Sequence, residues 1–533
     1  MTITPELQFS LLTEPLIRYR SAGDGRTVAA SLPELFVALA ADEVRDYPAL
    51  RPHQRHPWHA FLVQLAAIAL HKAERTEVFE TVDEWHDALL ALTPDDPDGA
   101  AWCLVSPPDR PAFMQAPNPS WNLLNWDTVF DAPDELDMLG TSKNHDLKGS
   151  RMRSANSEDW LFALISLQTQ EGSNSGSHKG ISRMNSGSGS RSGFGVMSQG
   201  GVGIRWKRDT GLLQKVRSSI AETYVLNESD GLALVWLKPW DGESSISFSI
   251  LDPLYLEICR RVRIFEVSGR LYARRAKTPV ARIDAGNRKG VTGDPWMPID
   301  ISKEDAKSLS LQGSGFDYKL ICRILFSGDF IKSEIQIPQT SDGQSLILIA
   351  QGVARGNSKT EGYHERRVPI SPKMRSLLKP SPDSKLGQTA TQRVDAIAGV
   401  RKLLWVALAV LFSSGKSGES SVGNKTKASK FSDPFETAED ARFFDDLNDE
   451  IEAQDPAAQR LQWMLGLVGR AESILKIAFD AGPRNGVQKY RAQSAALSRF
   501  HGGLRSDKSP LPELANYYRQ QTMQRQEETS DHV

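Results

Sequence analysis

The feature that most constrains the fold of this 533-residue chain is a change of pattern at Pro369. Before it, short runs of β-branched and aromatic residues alternate with turn residues, which is typical of strands. After it, apolar residues recur at helical spacing and the strand pattern ends. The chain is therefore predicted to have an α+β fold: a large mixed α/β domain, a linker and a C-terminal four-helix bundle, at residues 1–370, 371–385 and 386–533.

Individual elements follow from the same patterns. Ser31 and Glu34 are spaced as a capping box and predict the start of a helix. A mostly apolar helix is expected at 58–74, a second helix at 76–92, and β structure from Leu212 to Val353. The helices predicted for the C-terminal part, with a Ser/Gly/Lys-rich loop at 413–432 between the first two, are 388–412, 436–453, 456–480, 487–505 and 511–526.

Composition excludes a global electrostatic attraction to nucleic acid. The chain has 64 Lys and Arg against 66 Asp and Glu, so any such affinity must come from local patches. Three widely spaced cysteines favour the reducing cytoplasm over a disulfide framework. The N-terminus does not resemble a signal peptide, and the longest apolar run, Leu403 to Phe412, is about half a bilayer span. A soluble cytoplasmic protein with no membrane partner is expected.

Motifs for catalysis were sought and rejected. Gly415-Lys416-Ser417 hints at a phosphate-binding loop, but Val410 occupies the position of the first glycine. His53, His56 and His59 are three residues apart, yet no Cys or acidic cluster joins them, and a basic surface turn explains them as well as a metal does. The sequence therefore predicts no catalytic residue, no metal and no cofactor.

A glycine- and serine-rich stretch runs from Gly172 to Arg208. It contains ten glycines, nine serines and no acid. Such tracts are often flexible linkers, but a plain linker does not need six cations, and glycine lets a backbone approach a ligand closely. A nucleic-acid-contacting loop is therefore favoured over a linker. The six cations are Lys179, Arg183, Arg191, Arg205, Lys207 and Arg208.

Three further basic loops strengthen this interpretation. The loop from Gly140 to Asn156 precedes a predicted buried helix near Trp160, and the glycine-rich stretch follows that helix. Two basic loops could thus project from one rigid element, as binding surfaces commonly do. The turn at 287–290 and the segment 355–367 are also basic.

The order of these elements resembles the large subunit (CasA family) of the type I-E CRISPR Cascade complex. The resemblance spans nearly the whole chain and continues into the helical C-terminal part. It is carried by short segments whose order and spacing are more specific than any one of them, namely 113–115, 239–242, 258–263, 293–296 and 356–370. It implies a non-catalytic subunit of an RNA-guided bacterial defence complex, in which base pairing reads the target and this subunit reads the short adjacent motif (PAM).

The resemblance also implies which residues contact the duplex from the minor groove. A glycine loop, a lysine and a wedge hairpin approach the DNA in the family, and the lysine falls on either Arg288 or Lys289. Well-known members carry a glutamine at the wedge, where this chain has Ser358 and Lys359, so either could replace it. The implied DNA-contacting residues are Gly172, Ser173, Asn174, Ser175, Gly176, Lys179, Arg288, Lys289, Asn357, Ser358, Lys359 and Thr360.

The loop before the buried helix matches the family loop that contacts the guide RNA. Its implied contact residues are Lys143, Asn144, His145, Lys148, Arg151 and Arg153. The expected partners are other Cascade subunits, guide RNA, double-stranded target DNA and a helicase–nuclease that the subunit recruits after R-loop formation. The alternatives from the residues alone are a free-standing RNA-binding protein and a nucleotide hydrolase that uses the Gly415 region.

Overall fold

The computed structural model describes most of the chain. The described residues are 6–118, 120, 123, 126, 128–137, 155–172, 175–185, 189–198, 200–356, 359–378, 384–416 and 421–530. They form two compact units: Met1–Phe316 with Asp329–Val368, and Asp317–Gly328 with Pro369–Val533. No helix among these residues combines the length and hydropathy of a membrane span.

The first unit is built around a helix that is buried on almost every face, Arg55–Lys72. It packs against helices Ser157–Gln170 and Val202–Tyr224. Trp58, Trp160 and Trp206 lie in this core, and each large apolar side chain buried in this way contributes about 1.5–3 kcal/mol. The helices described in this unit are Leu32–Ala40, Arg55–Lys72, Val82–Leu90, Pro133–Leu136, Ser157–Gln170 and Val202–Tyr224.

Small sheets surround this helical core. The longest strands form a three-stranded sheet in which Leu346–Gly356 lies between Gly193–Ser198 and Lys359–Ile370. Leu346 pairs antiparallel with Ser198 at one end of the register, and Gln351 with Gly193 at the other. The other described strands are Gln8–Ser10, Ile17–Ser21, Thr27–Ala30, Val44–Asp46, Cys103–Val105, Thr128–Phe130, Leu232–Leu234, Ile246–Ser247, Leu251–Leu256, Val262–Val267, Arg270–Arg275, Ile283–Asp284, Ile299–Asp300, Lys307–Ser308 and Phe330–Ile331.

The second unit is helical. Helix Lys385–Phe412 packs against helices that include Val422–Glu452, Pro456–Ile477 and Gly486–Arg505, and its Arg393 forms a buried ion pair with Glu450 at 2.7 Å. The segment Asp317–Gly328 also belongs to this unit, and the Tyr318 ring packs at a tilt against Phe443, with ring centroids 4.9 Å apart. The described helices are Tyr318–Phe326, Pro372–Leu377, Lys385–Phe412, Val422–Glu452, Pro456–Ile477, Gly486–Arg505 and Pro512–Ser530.

Several sequence predictions are confirmed. The fold is mixed α/β with a C-terminal helical region, as expected. The Ser31–Glu34 capping box is present, because the Ser31 hydroxyl accepts from the Glu34 N–H and the Glu34 carboxylate accepts from the Ser31 N–H. The helix around Trp160 is buried, as predicted.

Four predictions were wrong in detail. The helix expected at 76–92 begins only at Val82, where Thr81 caps it. Residues 202–224 form a helix, although β structure was expected from Leu212. The loop expected at 413–432 is helical from Val422, and Pro434 lies inside that helix. The three histidines do not form a surface turn, since His53, His56 and His59 are all buried.

The buried histidines are stabilised by partners that lie far away in the sequence. His53 is bonded to Asp137 and His59 to Asp209, each at 2.8 Å, while His56 packs edge-on against Trp296. Burial, together with nearby arginines, lowers the pKa of His56, and burial lowers that of His59 to about 4. A charged imidazole is costly in this interior, so these side chains serve the core.

Candidate nucleic-acid interface

The glycine-rich segment begins where the buried helix Ser157–Gln170 ends, and three glycines let its backbone cross itself. A Cβ on Gly172 would lie 2.7 Å from the Gly189 carbonyl oxygen, and one on Gly180 would lie 2.6 Å from the Gly172 carbonyl carbon. Glu171 pairs with Ser190 as an isolated bridge at this crossing. Gly172 is therefore required for internal packing, whatever it contacts outside.

The tip of the segment is a tight, exposed turn. The Ser175 N–H donates to the His178 carbonyl at 2.7 Å, and the Ser175 hydroxyl accepts from the His178 N–H at 3.0 Å. Ser175 and Gly176 are exposed, and a Cβ on Gly176 would meet open space. The turn is held at its base, because the Lys179 N–H donates to the Thr278 carbonyl at 2.9 Å.

The surroundings of this tip are cationic. Burial, and then the neighbouring Arg275, Arg260 and Lys277, lower the pKa of His178 to about 4. The imidazole is consequently neutral at physiological pH. The three cations, apart from the effect of burial, give this turn a positive potential that favours an anion such as a phosphate nearby.

The basic turn at 286–290 adjoins the same segment. Lys289 adopts a left-handed conformation with φ of 49°, and its carbonyl accepts from the Ser308 N–H at 3.0 Å. Ser308 in turn joins the glycine-rich segment: its hydroxyl accepts from the Asn185 N–H and its carbonyl from the Asn185 side-chain amide, both at 2.9 Å. The turn and the segment are thus held together by Ser308.

The two candidate cations of this turn have different environments. The Arg288 guanidinium lies over the Phe248 ring, 4.1 Å from its centroid. The Lys289 ammonium pairs with Asp305 at 2.6 Å, and its side chain is 42% exposed. An exposed pair of this kind contributes only about 0–1 kcal/mol, so Lys289 can exchange Asp305 for a phosphate at little cost. This difference favours Lys289 over Arg288.

The hairpin formed by strands Leu346–Gly356 and Lys359–Ile370 is also anchored to the glycine-rich segment. The Ser190 hydroxyl donates to the Val353 carbonyl at 2.5 Å and accepts from the Val353 N–H at 3.2 Å. Strand Gly193–Ser198, which follows directly, pairs with Leu346–Gly356 of the hairpin. All three candidate segments therefore attach to one stretch of backbone between residues 172 and 198.

Most of the cations that drew attention to the stretch are engaged in the core. Arg191 makes a two-pronged bond to Asp294, at 2.6 and 2.8 Å. Arg183 lies 3.4 Å from Glu257 and 3.7 Å from Asp294, and its guanidinium stacks over Tyr255. Both arginines are buried. Arg183 and Arg191 are therefore not surface charges, and the prediction from composition was wrong for these two residues.

Arg183 and Arg191 form a buried network with Glu257 and Asp294, and the charges in this network compensate one another within the fold. Burial alone would raise the pKa of Asp294, but Arg191 and Arg183 hold that pKa below its ordinary value. Burial raises the pKa of Glu257, which Arg183 only partly offsets. Arg208 is similarly bound to Asp342, at 2.6 and 3.0 Å. The two lysines of the stretch are less buried: Lys179 is half-buried and Lys207 is exposed.

Comparison with known proteins gives matches only among solved structures. No protein-family model matches the sequence, and a search of curated proteins gives no match. Cse1 from Acidimicrobium ferrooxidans superposes with a TM-score of 0.65 at 14% identity, over 96% of this chain and 99% of that one. Thermobifida fusca Cse1 gives 0.65 at 14% identity, over 95% and 98%. Thermus thermophilus CasA (Cse1) gives 0.61 at 14% identity, over 93% and 99%.

This chain has the Cse1 fold. The agreement spans nearly the full length of both chains, so it includes the mixed N-terminal part and the helical C-terminal part. The resemblance to the CasA large subunits that the sequence suggested is confirmed at the level of the fold. At 14% identity it does not transfer the role of any residue.

The sequence-predicted residues can now be located. Gly172, Ser175, Gly176, Lys179, Arg288 and Lys289 are in segments that the structure ties together. Ser173, Asn174, Asn357 and Ser358 lie outside the described residues, as do the six guide-RNA candidates, Lys143, Asn144, His145, Lys148, Arg151 and Arg153. Lys359 and Thr360 begin a described strand, although their side chains fall outside the description.

The residues that join the candidate segments were missed by the sequence analysis. Asn185, Ser190, Thr278 and Ser308 make these connections through single hydrogen bonds or pairs of them. Except for the bond between Ser308 and Lys289, their partners lie about a hundred residues away or more, and Ser, Thr and Asn are common in the loops of this chain. No local pattern in one sequence distinguishes them.

Proposed function

We propose that this chain is the non-catalytic large subunit of a type I-E RNA-guided CRISPR complex in the bacterial cytoplasm. In this role it reads the adjacent motif from the minor groove, helps to open the duplex for R-loop formation, and recruits the helicase–nuclease. The observation that carries the proposal is the attachment of the glycine-rich tip, the 286–290 turn and the hairpin to one backbone stretch, in a chain with the Cse1 fold.

The chemistry of the candidate segments suits this task. An exposed turn with small side chains and free space at Gly176 permits close approach to a groove. Lys179 and Lys289 can hold phosphates, which positions the protein without specifying sequence. The minor groove carries a degenerate pattern of donors and acceptors, so tolerance of several adjacent motifs is expected. Pairing with the guide RNA supplies the remaining specificity.

Assembly can be tested by purifying the tagged full-length chain from its native host. The proposal expects guide RNA and several partner subunits to co-purify in fixed ratio. A chain that elutes without partners yet binds RNA tightly would support the free-standing RNA-binding alternative. Nucleotide turnover by the isolated chain would support the hydrolase alternative.

Duplex opening tests the hairpin separately. Opening costs a few kcal/mol per unstacked step, and an inserted side chain must offset that cost. We propose that Lys359 holds the backbone while Asn357 presses on the first opened pair, because Ser358 is too short to act alone. Replacing Asn357 and Lys359 with alanine should slow strand opening on intact duplex in the assembled complex.

The matched substrate is a target already opened by mismatches beside the motif. The defect of the double variant should largely vanish on this target, since nothing remains to be unstacked. Equal impairment on both substrates would assign the hairpin to binding or assembly instead. Stopped-flow measurement of strand opening on the two targets distinguishes the outcomes.

A further inference from the structure

A cleft of about 820 Å³ lies in the first unit, on surface that the proposed DNA contacts do not use. A volume of this size is within the range of ligand sites, about 300–1,000 Å³. The cleft is bordered by strand Val44–Asp46, the start of helix Val202–Tyr224 and the strand that contains Ile349. All of these elements belong to the same unit, so the cleft is formed within one compact body.

Five arginines line this cleft against two aspartates. The arginines are Arg20, Arg45, Arg55, Arg205 and Arg367. Asp46 is already shared by Arg20 and Arg45, at 3.2 and 3.3 Å. Asp42 accepts a hydrogen bond from the Ile204 N–H at 3.1 Å and so caps a helix. Arg55 and Arg367 likewise share Glu365, at 3.9 and 2.8 Å. The five arginines therefore outnumber the carboxylates with which they pair.

The deepest of these cations is incompletely paired. The Arg205 side chain is only 13% exposed, and its carboxylate neighbour Asp209 lies 3.7 Å away. Asp209 is already bonded to Arg208 and His59, each at 2.8 Å. The buried Arg205 Nε has no hydrogen-bond partner in the described part of the chain. Burial lowers the pKa of Arg205, and the nearby Arg208 and Arg367 add to that effect.

Much of the remaining lining is apolar. Leu50, Met197 and Val202 are half-buried where they face the cleft region. Three aromatic residues also border it: Trp58 and Trp206 are buried, and Tyr47 is half-buried, with its ring edge-on to Trp58 and the ring centroids 5.7 Å apart. Single-stranded nucleic acid is usually bound by a basic groove together with exposed aromatic rings. The observed combination of arginines with aliphatic side chains suits a carboxylate next to an apolar side chain.

We propose that this cleft binds an acidic peptide segment of a partner protein, with one carboxylate on Arg205 and an adjacent aliphatic side chain against Leu50 and Met197. The arginine fork matches a carboxylate in two-pronged geometry, which makes Arg a better choice than Lys at such a site. The rim arginines Arg55 and Arg367, which share the single carboxylate of Glu365, steer further acidic groups. This proposal does not depend on DNA binding by the chain.

The test uses the full-length chain and a capped tetrapeptide that alternates glutamate and leucine. The control peptide has glutamine at each glutamate. Because a desolvated charge pair is lost with the carboxylate, the glutamate peptide should bind about tenfold more tightly by calorimetry. Arg205→Gln should abolish this preference, and Arg367→Gln, at the exposed rim, should weaken binding about two- to threefold.

Two controls keep the outcome interpretable. Arg26→Gln removes an arginine that is 85% exposed and does not line the cleft, so it should leave peptide binding unchanged. If Arg205→Gln fails to fold, the double variant Arg55→Gln with Arg367→Gln replaces it and should weaken binding more than either single change. Equal binding of the two peptides, or no binding of either at millimolar concentration, would overturn the proposal. So would an octathymidylate probe that binds more tightly than the glutamate peptide and displaces it.

Discussion

Lys179 and Arg191 belong to the same glycine- and serine-rich stretch, but the structure uses them differently. Arg191 is buried and holds Asp294 with two hydrogen bonds. Lys179 is half-buried beside an exposed turn, and its backbone N–H bonds to Thr278. Composition treats the two as equivalent cations. The comparison shows that the partner supplied by a distant segment decides whether a basic side chain is buried in an ion pair or lies nearer the surface.

The largest predicted effect is the loss of the buried pair. Arg191→Ala would leave Asp294 buried without its main partner, and breaking a buried ion pair in this way costs about 3–5 kcal/mol. The free energy of unfolding of the full-length chain, measured with chemical denaturant, should fall by that amount. Lys179→Ala should change it by less than about 0.5 kcal/mol.

A double variant tests whether Arg191→Ala is destabilising because it leaves the buried charge of Asp294 without a partner. Replacing Arg191 with Met and Asp294 with Leu removes both buried charges, so the double variant should be more stable than Arg191→Ala. If the double variant is as unstable as the single one, the network contributes through packing and not through compensation of charge.

The next largest predicted difference in stability is between the variants Gly172→Ala and Gly176→Ala. Gly172→Ala places a Cβ 2.7 Å from the Gly189 carbonyl oxygen, and such overpacking costs about 1–3 kcal/mol. Gly176→Ala points into open space and should change stability by less than about 0.5 kcal/mol. Thermal unfolding of the two variants checks this. Equal destabilisation would mean that the tip is packed as tightly as the crossing.

Features that depend on a local sequence pattern could be predicted, whereas features that depend on a distant partner could not. The mixed fold, the capping box at Ser31 and the buried helix around Trp160 were predictable, because each depends on a local pattern. The three histidines were misplaced, because their acidic partners Asp137 and Asp209 are distant in sequence. The segment Asp317–Gly328 belongs to the helical unit although strands flank it, and no local signal indicates this.

The candidate site was predictable only in part. Composition and resemblance together pointed to the glycine-rich stretch, the basic turn and the hairpin, which the structure ties together through Ser190 and Ser308. They could not show that Arg183 and Arg191 are buried, because Glu257 and Asp294 lie far along the chain. Burial of a cation is a property of tertiary structure, whereas glycine content is a property of the segment.

A smaller effect is expected from pH. His178 has a pKa of about 4 in the fold against an ordinary imidazole pKa of 6.5, so the unfolded chain binds more protons between these values. The stability that depends on neutral His178 is complete above about pH 6.5 and is lost as pH falls toward 4. Unfolding measured at pH 7 and pH 5 should show a smaller loss for His178→Asn than for the unmodified chain. The pKa of His59 is also lowered by the fold, and His59 is present in both proteins. Only the difference between the stability losses of the two proteins therefore reports on His178.

The measurement that tests the central claim most directly compares DNA affinity with stability for the double variant Lys179→Ala with Lys289→Ala. In the assembled complex, the slope of log affinity for duplex against log salt should fall by about two, one for each lost phosphate contact. The free energy of unfolding should stay within about 0.5 kcal/mol of the unmodified chain. Lys72→Ala, an exposed lysine on the same unit, should change neither quantity. An unchanged salt slope together with a large loss of stability would show that these lysines, like Arg191, serve the fold, and would contradict the account.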